Sequence, residues 1–369
     1  MGVDARGAIV ADRRITGLSG EVIAVLVAEV GPVWQARHEA RLSDRPRRRA
    51  VGAGARHKLV FVDRLLATLV QLRHGVTHDV MAGWFGVHRS TITRAIAEVR
   101  PLLAERGCTV APGLRLRTLA DVIAHIGATG QTAIIDATEI RVRRPAAGRP
   151  GRNRFVSGKS RQNAMKAMVL TDTTGRLLFC GETRPGGCAD ITQARQAGIV
   201  DLLADTVHLR ILADAGYQGL GGQTCGQVVT PPRKRRGKHL EHVQWLTAHH
   251  EAARFAHASR RIPVEHGIAH LKNWRCLARH HGRRESLPET VQAVAALVTE
   301  QQGFNCNHVH TERHMARFGR RCGTRGGHAE SDAGRCGRAG PEKVPSVHAD
   351  PPESGGGRAI SSPCPHDRR

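Results

Sequence analysis

The chain has 369 residues, with 56 Lys and Arg against 32 Asp and Glu and a formal net charge of +24 at pH 7. Two or three domains and a buried core fit that length, while aromatics at 3 % leave Leu, Val, Ile and Ala to do the packing. So large a cationic excess exceeds what internal pairing can absorb, and the expected partner is a polyanion: nucleic acid first, an anionic membrane surface second.

The basic set is 49 Arg to 7 Lys. Arg suits bidentate phosphate contacts, although a GC-rich coding sequence gives the same bias. The longest apolar run near the start, 22–28, is too short to span a bilayer and lacks the flanks of a secretory signal. The nine Cys stand no closer than eight residues apart. That odd, scattered set argues against a disulfide framework and a Cys-based zinc module; with no apolar span or signal, a protein of a reducing cytoplasm that binds nucleic acid rather than a membrane is expected.

In chain order, 1–50 reads as a helix around 22–30 followed by a basic arm, Arg45-Pro46-Arg47-Arg48-Arg49. Residues 51–108 have a helical period, with Leu59, Val62, Leu65 or Leu66, and Leu69 forming one buried stripe. Gly75 ends that helix and Thr77 caps the next. Residues 109–130 read as a linker with a helix at 119–126. Apolar, β-branched runs at 133–142, 167–171, 177–180, 211–213 and 228–229, with a helix at 191–203, predict an α/β domain with a mixed sheet over 131–305. Helical periodicity returns at 241–277 and 288–302. The stretch 306–369 is expected to be disordered: from Thr311 onward, ten Gly and six Pro among 59 residues leave no period on which to build a core.

The phrase from Asp79 to Arg94 carries a helix-turn-helix pattern. Ala82 is small where two helices cross, Phe85 shares its face, Gly86 permits a left-handed turn and Val87 packs beneath it. Ile92, Ile96 and Val99 then face inward, leaving Arg89, Ser90, Thr93 and Arg94 exposed at the start of the second helix. Short polar and Arg side chains there suit base edges and phosphates. An ordinary αα-hairpin has the same spacing, and the net charge favours the DNA-reading interpretation.

Isolated acids at strand ends stand out in so basic a chain. Asp136 lies in Ile134-Ile135-Asp136-Ala137-Thr138-Glu139, and Asp214 ends Ile211-Leu212-Ala213 before a glycine turn. A buried carboxylate needs a cation, a set of donors or a metal. Glu265 and Lys272 are seven apart on one helical face, so Glu265 can enter a cleft while Lys272 meets a phosphate. Three such carboxylates would form an oxygen-only site for two Mg²⁺ or Mn²⁺ ions about 4 Å apart, suited to in-line displacement at a phosphodiester.

The sequence of motifs comprises I-I-D-A-T-E at 134–139, S-G-K-S-R-Q-N-A-M-K at 157–166, P-G-G-C-A-D-I at 185–191, L-A-D-A-G-Y-Q-G at 212–219 and V-E-H-G-I-A-H-L-K at 264–272. Taken together over 57–305, this order resembles the DDE-type insertion-sequence transposases, within them the DDE superfamily endonucleases with a helix-turn-helix in front. The resemblance implies a ribonuclease-H-like core and a catalytic, metal-holding triad of Asp136, Asp214 and Glu265. It also implies cleavage at element ends, strand transfer into target DNA and action as a homo-oligomer at the nucleoid. Lys272 matches the family's downstream basic residue, and Gly158, Lys159 and Lys166 its S-G-K…K stretch, a backbone or DNA support. This sequence departs from the group in having Ala137 in place of Gly, and Cys188-Ala189-Asp190 where a segment ending in His-Asp is usual.

Further DNA-backbone contacts are expected from Arg233, Lys234, Arg235 and Arg236, and more weakly from Arg279, Arg283 and Arg284. His266 and His270 are four apart, but no third ligand supports zinc. The alternative to a transposase is a helix-turn-helix regulator, or a degenerate transposase, that binds DNA without catalysis.

Overall fold

The computed structural model describes residues 7–9, 12–44, 58–206, 209–233 and 244–319, with side chains as far as 305 and not at 244–246. The chain divides into two compact units, Met1–Val309 and His310–Arg369; the second enters here only as helical backbone reaching Gly319. The basic arm at 45–49 lies outside the described residues.

Helix α1 (Gly20–Ser43) begins where Ser19 Oγ accepts the Val22 N–H at 3.5 Å. It runs well past the expected 22–30, burying Val22, Ile23, Leu26, Val30 and Trp34 at three- and four-residue spacings. The helix-turn-helix follows as α2 (Phe61–His74), α3 (His78–Phe85) and α4 (Arg89–Glu105). Gly86 takes φ 62°, a left-handed conformation that costs most residues energy. Ala82, Phe85, Ile92, Ala95 and Ile96 close a small core against Leu66, Ala67 and Val70 of α2.

The single buried stripe expected for α2 is corrected: residues from Asp63 to Val70 are all buried. One face serves the helix-turn-helix core, whereas Leu65, Leu69 and Leu72 belong to a second core shared with the sheet. The module is therefore built into the α/β domain rather than tethered to it. Residues 109–130 are likewise not a plain linker. A hairpin, β1 (Cys108–Ala111) with β2 (Leu114–Leu116), precedes α5 (Leu119–Thr129).

The main sheet contains β3 (Thr132–Val142), β4 (Ala164–Asp172), β5 (Leu177–Pro185), β6 (Arg210–Leu212) and β7 (Val228–Val229). Their spatial order is β5-β4-β3-β6-β7. The first three are mutually antiparallel, and β6 and β7 run parallel to β3. In order of strand succession this is 3-2-1-4-5, the mixed α/β arrangement of a ribonuclease-H-like fold. The expected helix at 191–203 is broken into α6 (Asp190–Gln196) and α7 (Ile199–Ala204), because the chain turns at Gly198 with φ 78°.

Alternation along β3 assigns its two faces. Ala133 and Ile135 pack under α5 and α7, while Ile134 and Ile140 pack with Val264, Ile268 and Leu271 of α8 (Gln244–Lys272). On the edge away from β4, β3 pairs with β6 at 132–134 and with β8 (Arg279–His280) at 141–142, so its middle lies between two strands that do not meet. Helix α9 (Leu287–Gly319) completes the second core. Its backbone corrects the expected disorder from 306, since the helix continues through 306–319; residues 320–369 lie outside the described set. Among the described residues, no helix is long and apolar enough to cross a membrane.

Candidate active site

Strand register brings the first two acids together. Ile134 pairs with Leu212 in the parallel β3–β6 ladder; two residues further on, Asp136 and Asp214 stand on the same face, the one covered by α8. Asp214 is the residue at which β6 gives way to a 3-10 turn, and its Oδ1 accepts the Gly216 N–H at 2.8 Å. An added Cβ at Gly216 would lie 2.8 Å from Asp190 Oδ2 and 3.0 Å from Asp214 Oδ1, so this glycine sits between two carboxylates that a larger residue would push back.

Helix α8 faces these strand ends with His257, Arg261 and Glu265, each one turn from the next. His257 Nε2 bonds the Ala213 carbonyl at 2.8 Å, and Arg261 Nη2 donates to Asp136 Oδ2 at 2.8 Å. Asp136 Oδ1 also accepts the Ala137 N–H at 2.7 Å. Burial pushes the Asp136 carboxyl up to about 6; Arg261 and the Ala137 N–H oppose that rise, and the charges of Asp214 and Glu265 add to it. Asp214 and Glu265 thus both lie within electrostatic reach of Asp136.

Asp190 is a fourth acid at this place. Lys166 Nζ donates to its Oδ1 at 2.9 Å and to the Cys188 carbonyl at 3.1 Å. Tyr217 is buried beside the cluster, and burial, then Asp190, Asp136 and Asp214, push its phenol well above the ordinary value. Among the described residues, no three His, Cys, Asp or Glu side chains are gathered tightly enough to hold a metal as they stand. Arg261 occupies one oxygen of Asp136.

The other expected site residues divide as follows. Arg89, Ser90, Thr93 and Arg94 are exposed at the start of α4, whose N-cap is His88, accepting the Ser90 N–H at 3.3 Å. Arg89 pairs with Asp79 at 3.6 Å, and Arg94 Nε donates to the Ser90 carbonyl at 3.2 Å. Lys272 and Arg233 are exposed, whereas Lys234, Arg235 and Arg236 lie outside the described residues. Lys166 is part-buried, and its ammonium is engaged with Asp190 at 2.9 Å and with the Cys188 carbonyl. In the S-G-K-S stretch, Ser157 Oγ accepts the Lys159 and Ser160 N–H groups and donates to Glu139, so that motif shapes a turn.

Sequence reasoning missed Arg261, His257 and the contact between Asp190 and the cluster. The usable signal for the first two was their placement one and two turns ahead of Glu265.

A helix-turn-helix fused to an α/β domain with clustered acids at its strand ends defines a class, and comparison with known proteins gives the family. Residues 135–299 match the DDE superfamily endonuclease model, and residues 57–109 match the helix-turn-helix of DDE superfamily endonuclease. The chain belongs to this family of DDE-type insertion-sequence transposases. It is similar to the assigned transposase for insertion sequence element IS112 of Streptomyces albus G, at 25 % identity over 231 residues covering 62 % of this chain and 75 % of the relative. A crystal structure of the Mos1 strand transfer complex matches 72 % of this chain and 84 % of its own, at 10 % identity and a TM-score of 0.18.

Proposed function

We propose that Asp136, Asp214 and Glu265 are the catalytic acids of a DNA transposase that cleaves element ends and joins them to target DNA. The observation that supports this reading is the β3–β6 register, in which Ile134 pairs with Leu212, two residues before Asp136 and Asp214, on the face that packs with the helix bearing Glu265.

The donor set fits divalent cations of the Mg²⁺ or Mn²⁺ type. It is made of carboxylate oxygens only, and Asp136 is buried among like charges with Arg261 as its cationic counterweight. Asp136, Asp214 and Glu265 would hold the ions, and binding there would require Arg261 to release its Asp136 oxygen. When bound, such ions activate an attacking oxygen and stabilise the leaving one in phosphodiester displacement.

The chain's own residues do the rest. Arg261 and the Ala137 N–H favour the ionised form of Asp136. The Gly216 N–H fixes the Asp214 carboxylate, and His257 ties α8 to the end of β6 so that Glu265 is held over the strand ends. Lys166 offsets the fourth charge, on Asp190, which would otherwise repel a polyanionic substrate. The exposed start of α4 reads the duplex, with Lys272 as a backbone contact.

The test is cleavage of a duplex carrying the ends of the element that encodes this chain, with Mg²⁺ or Mn²⁺, by wild-type protein and by Asp136→Asn. Loss of nicking in the variant with retained DNA binding is expected. Equal cleavage by the two proteins would remove Asp136 from the chemistry, and metal-independent binding without nicks by the wild type would leave a DNA-binding regulator.

A further inference from the structure

A second concavity, lined by none of the clustered acids, opens between the helix-turn-helix and the far end of β3. It is a cleft of about 510 Å³ bounded by α2–α4 on one side and by β8, the loop after it and the start of α9 on the other. No Asp or Glu lines it, whereas Arg100, Arg279, His281 and Arg283 do. Arg279, His281 and Arg283 are exposed, and among the described residues neither Arg279 nor Arg283 is paired with a carboxylate. Arg100 is engaged by Glu289 at 2.6 Å. The cleft is a cationic environment: burial first, and then the charges of Arg89 and Arg100, depress His78, and His280 is depressed by burial with Arg100 and His281 adding to it.

We infer that this cleft receives the phosphate backbone of the duplex whose bases α4 reads. The inference rests on the DNA-reading interpretation of α4 and extends it to a surface of the α/β domain. Thr93 links the two, because it lines the cleft and also stands on the exposed start of α4 between Arg89 and Arg94. Unpaired guanidinium groups in a concave wall without carboxylates match a run of phosphates in charge and in hydrogen-bonding geometry.

The position of the cleft gives it a role beyond affinity. Arg279 pairs with Arg141 in the β3–β8 ladder, five residues along the strand from Asp136. At the rise of a β-strand that separation is about 17 Å, or roughly five phosphate steps of a duplex strand. A backbone held in the cleft is thereby kept in a fixed relation to the carboxylate cluster by a single rigid strand.

The test uses the full chain and a fluorescently labelled random-sequence duplex, titrated by anisotropy across a series of NaCl concentrations. Replacing both Arg279→Gln and Arg283→Gln is expected to lower the slope of log affinity against log salt by about 1.8, at about 0.9 per phosphate contact. His281→Asp, at an exposed position, is expected to weaken binding further by placing a negative charge in the cleft, and it decides the matter should the double variant fail to fold. A steep wild-type slope left unchanged by these substitutions, while Arg89→Ala with Arg94→Ala still weakens binding, would overturn the cleft assignment alone. A wild-type protein whose duplex binding is insensitive to salt would overturn the DNA-reading interpretation along with it.

Discussion

Gly216→Ala perturbs the candidate site without altering any charge. The new methyl carbon would stand 2.8 Å from Asp190 Oδ2 and 3.0 Å from Asp214 Oδ1, where relaxed contact is near 3.5 Å. Each carboxylate must then retreat by about half an ångström or slightly more. Because these are side-chain ends rather than packed backbone, the fold is expected to lose less than about 1 kcal/mol. The chemistry is more sensitive: a misplacement of about 1 Å costs about a hundredfold, so half of that costs about tenfold in cleavage rate. Cleavage of element ends, measured beside a thermal melt, separates the two effects. A rate equal to wild type at unchanged stability would refute the claim that the Asp214 position governs the reaction.

Two further outcomes concern stability. Arg106 is buried and bonds Glu29 at 2.6 Å and Glu300 at 2.9 Å, joining α1 and α9. Arg106→Ala should cost about 3 kcal/mol, the lower end for a broken buried pair, since Glu29 keeps Arg115 at 2.7 Å. Calorimetry is expected to show a Tm lower by roughly 6–12 °C; a drop of under about 2 °C contradicts the assignment. His280 is depressed in the folded chain by burial, so the folded state resists a proton that the unfolded chain accepts below about pH 6.5. Its contribution is therefore fully present above that pH and is lost as pH falls further. The urea midpoint of the wild type should decline on acidification more than that of His280→Gln, and parallel curves would remove His280 as the cause.

Much of this structure was legible because single residues constrain it. Gly86, Ala82 and the spacing of Ile92, Ile96 and Val99 fix two helices and the turn between them through sterics, and the structure has that module with Arg89, Ser90, Thr93 and Arg94 outward. The β-branched run containing Asp136 marked β3. What stayed hidden depends on tertiary partners. The burial of α2 on both faces follows from its position between two cores, which a stripe of Leu residues does not reveal. The turn at Pro112-Gly113 makes a hairpin only because Cys108 and Leu116 find one another. Arg261 looked like one of 49 arginines, and only the fold sets it against Asp136. Asp190 stood out as a retained acid, but its approach to Asp214 across Gly216 is a matter of chain path. Lys166 had the charge of a DNA contact, and the same fold placed Asp190 within its reach.

Divalent-ion binding by the full chain tests the carboxylate cluster most directly, because it needs neither a known terminal repeat nor catalysis. Titration with Mn²⁺ followed by electron paramagnetic resonance should show saturable binding to the wild type and its loss or marked weakening in Asp136→Asn, Asp214→Asn and Glu265→Gln, each remaining folded. Equal Mn²⁺ binding by all four proteins would contradict the assignment of these residues as a metal-holding triad.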